Sequence, residues 1–104
     1  MICIKISNGD DKFKMMIVGH VCYAPKGQDI VCASVSTLAF TLISMLDHKS
    51  DCILDYEFEA DSGLMNISFT HKNKLELQPI LDTVICGFNL IAESNPDYVS
   101  VSLN

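Results

Sequence analysis

The sequence predicts an α+β fold: two layers in the order β-β-α-β-β-α-β, with an antiparallel or mixed sheet and two helices on one of its faces. Three observations lead there. Apolar residues alternate in five short stretches, and they recur every three to four positions in two longer ones. Each alternating stretch also has a mostly polar second side, which places both helices over the same face of the sheet.

The first stretch, ICIKIS, puts Ile2, Ile4 and Ile6 on one side, and FKMMIVG does the same with Phe13, Met15 and Ile17. NGDDK between them carries an Asn-Gly turn signal, so the pair reads as a hairpin. Val31, Val35, Leu38, Leu42 and Met45 then follow the spacing of an amphipathic helix, with Asp29 at its N-cap. From Cys52 onward, Leu54, Tyr56, Phe58 and Ala60 face one way, while Asp55, Glu57, Glu59 and Asp61 line the other. DSG turns the chain into a fourth strand, with Met65, Ile67 and Phe69 inward and Asn66, Ser68 and Thr70 outward.

The second helix covers residues 77–94, with Ile80, Val84, Phe88 and Ile91 on one stripe and Asp82, Cys86, Asn89 and Glu93 on another. Pro79 belongs in its first turn, where a missing amide hydrogen costs nothing. The last strand turns Val99, Val101 and Leu103 inward, with Ser100 and Ser102 outward. The polar face is not uniform, because Cys3, Met16 and Val18 share it with Lys5 and Lys14; either a second subunit or a loop packs on that apolar patch.

A chain of 104 residues suits one core, and a single domain, 1–104, is expected. Thirteen acids against seven bases leave a net charge of −6, which excludes a phosphate-binding surface of clustered Lys and Arg and favours a basic partner over nucleic acid. The alternating N-terminus lacks the charged-then-apolar profile of a secretory signal. The longest uncharged run, 30–46, is interrupted by Ser34, Ser36, Thr37, Thr41 and Ser44, so the expectation is a cytoplasmic protein with no membrane span. Cys3, Cys22, Cys32, Cys52 and Cys86 are an odd number without an export signal and read mostly as free thiols.

Chemistry concentrates in VGHVCYAPKGQDIVCASVSTL, residues 18–38, which reads as strand end, loop and helix start. With Asp29 as cap, Cys32 is the third helical residue, where unpaired amides and the helix dipole favour the reactive thiolate. His20 ends the preceding strand, and strand-to-helix connections bring such positions close, so a Cys-His dyad is compatible with the spacing. Gly19 and Gly27 frame a loop able to open over an extended peptide, and Tyr23 offers apolar surface for an aromatic substrate residue. Asp29 has two competing employments, capping the helix or orienting the His20 ring. If it caps through the amide of Cys32, that amide is unavailable to an oxyanion.

Plainer readings compete. Free cysteine is among the most buried residue types, so Cys32 taken alone also fits helix packing, as do Cys3, Cys52 and Cys86. His20, Cys22 and Cys32 form an H-x-C-x9-C set with no Cys-x-x-Cys hook and only the distant His71 as a fourth ligand, so no metal is expected. His48 reads as a solvated charge at a helix end, and His71 as a turn residue. The carboxylates of 55–61 read as a solvated strand face and not as an acid/base pair.

Gly19-His20 closing a strand, followed by Gly27-x-Asp29-x-Val31-Cys32-Ala33-x-x-Ser36 at a helix start, resembles the ribosomal-processing cysteine protease family, Prp, and length and element order extend the likeness to most of the chain. The resemblance implies a small homodimeric endopeptidase that needs no cofactor. Its implied substrate is the N-terminal extension of the twenty-seventh protein of the bacterial large ribosomal subunit, cut after a Phe-rich hydrophobic motif. It implies Cys32 as nucleophile and His20 as general base, with Asp29 and Ser36 in support. Val21-Cys22 departs from the smaller, non-thiol residues usual at those places. Two alternatives stay open: a prophage-type protease acting on phage structural proteins, and a non-catalytic dimeric module that holds a peptide along a sheet edge.

Overall fold

Alternation and helical spacing become seven elements: β1 (Ile2–Asn8), β2 (Lys12–Val18), α1 (Gln28–Asp47), β3 (Cys52–Glu59), β4 (Leu64–His71), α2 (Lys74–Ser94) and β5 (Val99–Leu103). The structure is a computed structural model and describes residues 2–9, 12–19, 28–48, 52–59, 64–71 and 74–103. The sheet runs β3-β4-β2-β1-β5. Its pairs are antiparallel except β1 with β5, which are parallel, so the sheet is mixed and the expected order holds.

One face of the sheet is dry. Ile2, Ile4, Ile6, Phe13, Met15, Ile17, Met65, Ile67 and Phe69 are buried there beneath both helices. Phe13 and Phe69 sit opposite each other in the β2–β4 register with ring centroids 5.0 Å apart. α1 reaches β3, and α2 reaches β5, so the helices lie side by side across the sheet. They approach most closely at Gly87, where an added Cβ would stand 2.8 Å from a methyl of Leu38.

Several sequence expectations shift by a fraction of a turn. Met45 is 44% exposed, while Ala39, Ile43 and Leu46 join Val31, Val35 and Leu42 in the core. So many apolar residues crowd α1 that two stripes fit its spacing, and the position of the sheet selects between them. α2 begins at Lys74 and not near residue 77, which brings Leu77 and Leu81 into the core. Pro79 therefore lies in the second turn, where it removes the bond to the carbonyl of the strongly exposed Leu75. His71 is the last residue of β4 instead of a turn residue, Cys86 is exposed instead of packed, and Leu103 is exposed at the end of an edge strand.

β3 keeps the predicted facing but not the predicted burial. Tyr56 and Phe58 pair with Ile67 and Met65, so they point to the helix side, yet they are 53% and 52% exposed. β3 is an edge strand, and only α1 lies near it. Both helices contain stretches apolar and long enough to cross a bilayer, Ile30–Asp47 and Leu75–Ser94. Their inward sides supply the core, and Thr37, Thr41 and Ser44 occupy the outer side of α1, as in a helix covering a sheet.

Phe88 is fully buried on α2 against this core. Replacing it with alanine is expected to lower unfolding free energy by about 3–5 kcal/mol, read as a shifted urea midpoint at unchanged slope.

Candidate active site

Cys32 is the fifth residue of α1, half-buried, and packed against the core. It is a free thiol. Because Gln28 is already helical, Asp29 lies inside the first turn and not at the N-cap. In a regular helix from Gln28, the amide of Cys32 pairs with the carbonyl of residue 28 and is not available to an oxyanion. Cys32 also sits about one turn from the helix end, where the dipole is already weakening.

Ser36 follows Cys32 by one turn on the same side of α1 and is also half-buried. Ser34, Thr37 and Thr41 turn their hydroxyls back onto the carbonyls of Ile30, Ala33 and Thr37 at 2.8, 2.8 and 2.6 Å. Ser36 donates no such bond among the described residues. The side chain of Asp29, together with His20, Cys22, Tyr23 and Gly27, lies outside the described residues.

Register and helix contacts fix which end of the molecule carries Gly19. Ile17 of β2 pairs with Met65 of β4, and Met65 pairs with Phe58 of β3, so these three form one row across the sheet. Phe40 of α1 caps that row, edge to face with Phe58 at 5.7 Å between centroids. Ile30, Val31 and Ser34 at the start of α1 meet Leu90, Ile91 and Asn95 at the end of α2, β5 then sets Val99 beside Ile2, and Cys3 pairs with Val18, so the start of α1 and the Gly19 end of β2 share one end of the molecule. Gly19 has φ of 133°, a conformation that side chains avoid, and it is the last described residue before His20. Gly19 at the end of β2 and Cys32 near the start of α1 therefore lie toward the same end of the molecule.

The other sequence-marked groups lie elsewhere. Cys3 is on the uncovered sheet face, opposite Val18 in the β1–β2 register. Cys86 is on the exposed side of α2, and His48 at the end of α1 places Nδ1 2.6 Å from the carbonyl oxygen of Ser44. Among the described residues no three His, Cys, Asp or Glu side chains gather in a way that would hold a metal. A shallow depression of about 400 Å³ on the uncovered face is lined by Lys5, Lys14, Met16, Asn66 and Ser68; it lies across the sheet from Cys32 and holds no cysteine. The aromatic group of Phe40, Tyr56 and Phe58 beside α1 was not singled out from sequence, because its signal, a strand that is apolar on one side, is also that of a buried strand.

Comparison with known proteins agrees with this layout. The family described as Cysteine protease Prp matches residues 1–100. The ribosomal processing cysteine protease Prp of Mycoplasma pneumoniae is 31% identical over 87 residues, covering 84% of this chain and 83% of that protein. Among solved structures, SMU.848 from Streptococcus mutans superposes with a TM-score of 0.84 at 26% identity, over 99% of this chain and 93% of that one. An essential ribosomal processing protease Prp from S. aureus, solved with a covalently linked product peptide, superposes over all of both chains with a TM-score of 0.83 at 24% identity.

Gly19→Ala is expected to cost about 1–3 kcal/mol of stability through backbone strain at the strand end, visible as a lowered urea midpoint.

Proposed function

The chain belongs to the Prp family of cysteine proteases, and from that premise we propose that it cuts peptide bonds with Cys32 as nucleophile and His20 as general base. The observation that carries this reading is the shared end of the molecule: half-buried Cys32 near the start of α1, and Gly19, the residue before His20 in sequence, at the end of β2. His20 takes the thiol proton, and the sulfur bonds to the carbonyl carbon. The tetrahedral adduct collapses as His20 returns that proton to the leaving amine. Water then gives a proton to His20 and attacks the thioester carbonyl; the C–S bond breaks, the acid product departs, and the thiol is restored. Nucleophile and base suffice, so no cofactor takes part.

Asp29 in the first turn serves to orient the His20 ring, and Ser36 donates a hydrogen bond near the sulfur. Residues 21–27, with Tyr23 and Gly27, meet the peptide in this reading. The substrate is the N-terminal extension of the twenty-seventh large-subunit ribosomal protein, cut after a Phe-rich motif in the cytoplasm. Two things support this. The Mycoplasma relative is named a ribosomal processing protease, and the net charge of −6 attracts a basic tail, although salt limits that reach to about 8 Å.

The active form is a homodimer built on the uncovered sheet face. Met16 and Val18 are over a third exposed there between the lysines of β1 and β2 and the carboxylates Asp55, Glu57 and Glu59 of β3. A face of that composition complements itself about a two-fold axis.

Mass spectrometry of a synthetic Phe-rich ribosomal-protein extension incubated with the protein tests the site. Wild type is expected to yield one product, Cys32→Ala none, and His20→Ala at least about a hundredfold less. Equal products from all three would remove both residues from the chemistry, whereas binding without cleavage by wild type would favour a peptide-holding module. Met16→Asp is expected to halve the mass found by sedimentation.

A further inference from the structure

Three large aromatic side chains, Phe40, Tyr56 and Phe58, are about half exposed in one place, the seam between α1 and β3. Phe40 is held edge to face by Phe58, and Tyr56 precedes Phe58 by two residues on the same side of the strand. Cys32, Ser36 and Phe40 succeed one another at four-residue spacing along the flank of α1 that turns toward β3. A separate shallow hollow of about 460 Å³, lined by Ser36, Thr37, Phe40, Thr41 and Ser44, lies on the outer side of α1. β3 is an edge strand, with no strand on its outer side among the described residues.

We propose that this seam is the substrate's specificity site: an extended peptide lies along β3 with an apolar side chain on Phe40, Tyr56 and Phe58. The occupant follows from continuity with Cys32 and from charge. Eight helical residues separate Cys32 from Phe40, about 12 Å of axis, which an extended peptide covers in roughly three to four residues. The aromatic shelf therefore receives the side chain three to four positions from the bond that is cut. A peptide added to β3 places alternate residues on opposite sides, and on the far side β3 presents Asp55, Glu57 and Glu59. The preferred peptide alternates apolar with basic residues, so both faces of one edge strand contribute to recognition.

The inference rests on the assignment of Cys32 as nucleophile, but binding tests it apart from cleavage. The probe is a fluorescent peptide of about ten residues alternating Phe or Leu with Lys, measured by anisotropy against Cys32→Ala protein, beside a peptide of the same composition with the two residue types in separate blocks. The alternating peptide is expected to bind about tenfold tighter than the block peptide. Phe58→Ser and Tyr56→Ser are expected to abolish that preference, while Leu75→Ser, on the exposed start of α2, preserves it. Circular dichroism checks that each variant is folded, and the half-exposed positions chosen tolerate truncation. Equal binding of both peptides, or an unchanged preference in Phe58→Ser and Tyr56→Ser, overturns the proposal. So does a change of oligomeric mass in those variants without a change in affinity, which would assign the seam to a second copy of the chain. Failure of wild type to cleave any peptide would instead defeat the catalytic assignment and leave the binding result to stand.

Discussion

The arrangement depends on one constraint: the apolar face of the five-stranded sheet has to be removed from water, and among the described residues two helices side by side cover it. Each large side chain buried there contributes about 1.5–3 kcal/mol, so the rotation of α1 about its axis is set by Val31, Val35, Ala39, Leu42, Ile43 and Leu46 together. Once those six point inward, no freedom is left in where Cys32 points. It falls on the flank toward β3, partly covered, with Ser36 and Phe40 following it along the same side. Packing thus positions the sulfur, and the site inherits its rigidity from the core.

Strand register does the corresponding work for Gly19. Pairing Ile17, Met65 and Phe58 in one row ties the direction of β2 to that of β3, and the Phe40 contact ties α1 to both. The left-handed turn at Gly19 then releases the chain from the central strand at the end where α1 begins. Division of labour across the sheet follows as well. The helix side holds the sulfur and the aromatic seam, and the uncovered side holds the Met16 patch between lysines and carboxylates. Peptide recognition and self-association can therefore occupy different faces without competing.

Much of this was legible in the sequence, for a physical reason: alternation and helical spacing record which side of an element is dry, and that is a local property. Ile2, Ile4 and Ile6, Phe13, Met15 and Ile17, and Met65, Ile67 and Phe69 all face the core as their spacing requires. What failed depended on non-local facts. The rotation of α1 was ambiguous between stripes through Met45 and Leu46 until the sheet was beneath it, and the early start of α2 was hidden by Pro79. Tyr56 and Phe58 read as core because nothing local distinguishes an edge strand from a central one; strand order decides it. At the site, Asp29 reads as a cap because it is the familiar capping type ahead of the apolar run, whereas the helix already includes Gln28.

The central claim is that Cys32 is reactive because of its setting and not because of its exposure, and the chain carries its own control. Cys86 is also a free thiol on a helix and is more exposed, so accessibility alone would make it the faster of the two. Alkylation by iodoacetamide at neutral pH, followed site by site through peptide mapping in wild type and in His20→Ala, measures the difference directly. The account predicts that Cys32 is modified at least about tenfold faster than Cys86 in wild type, and that the advantage disappears when His20 is removed. Modification of Cys86 ahead of Cys32, or an advantage that survives the loss of His20, would contradict it.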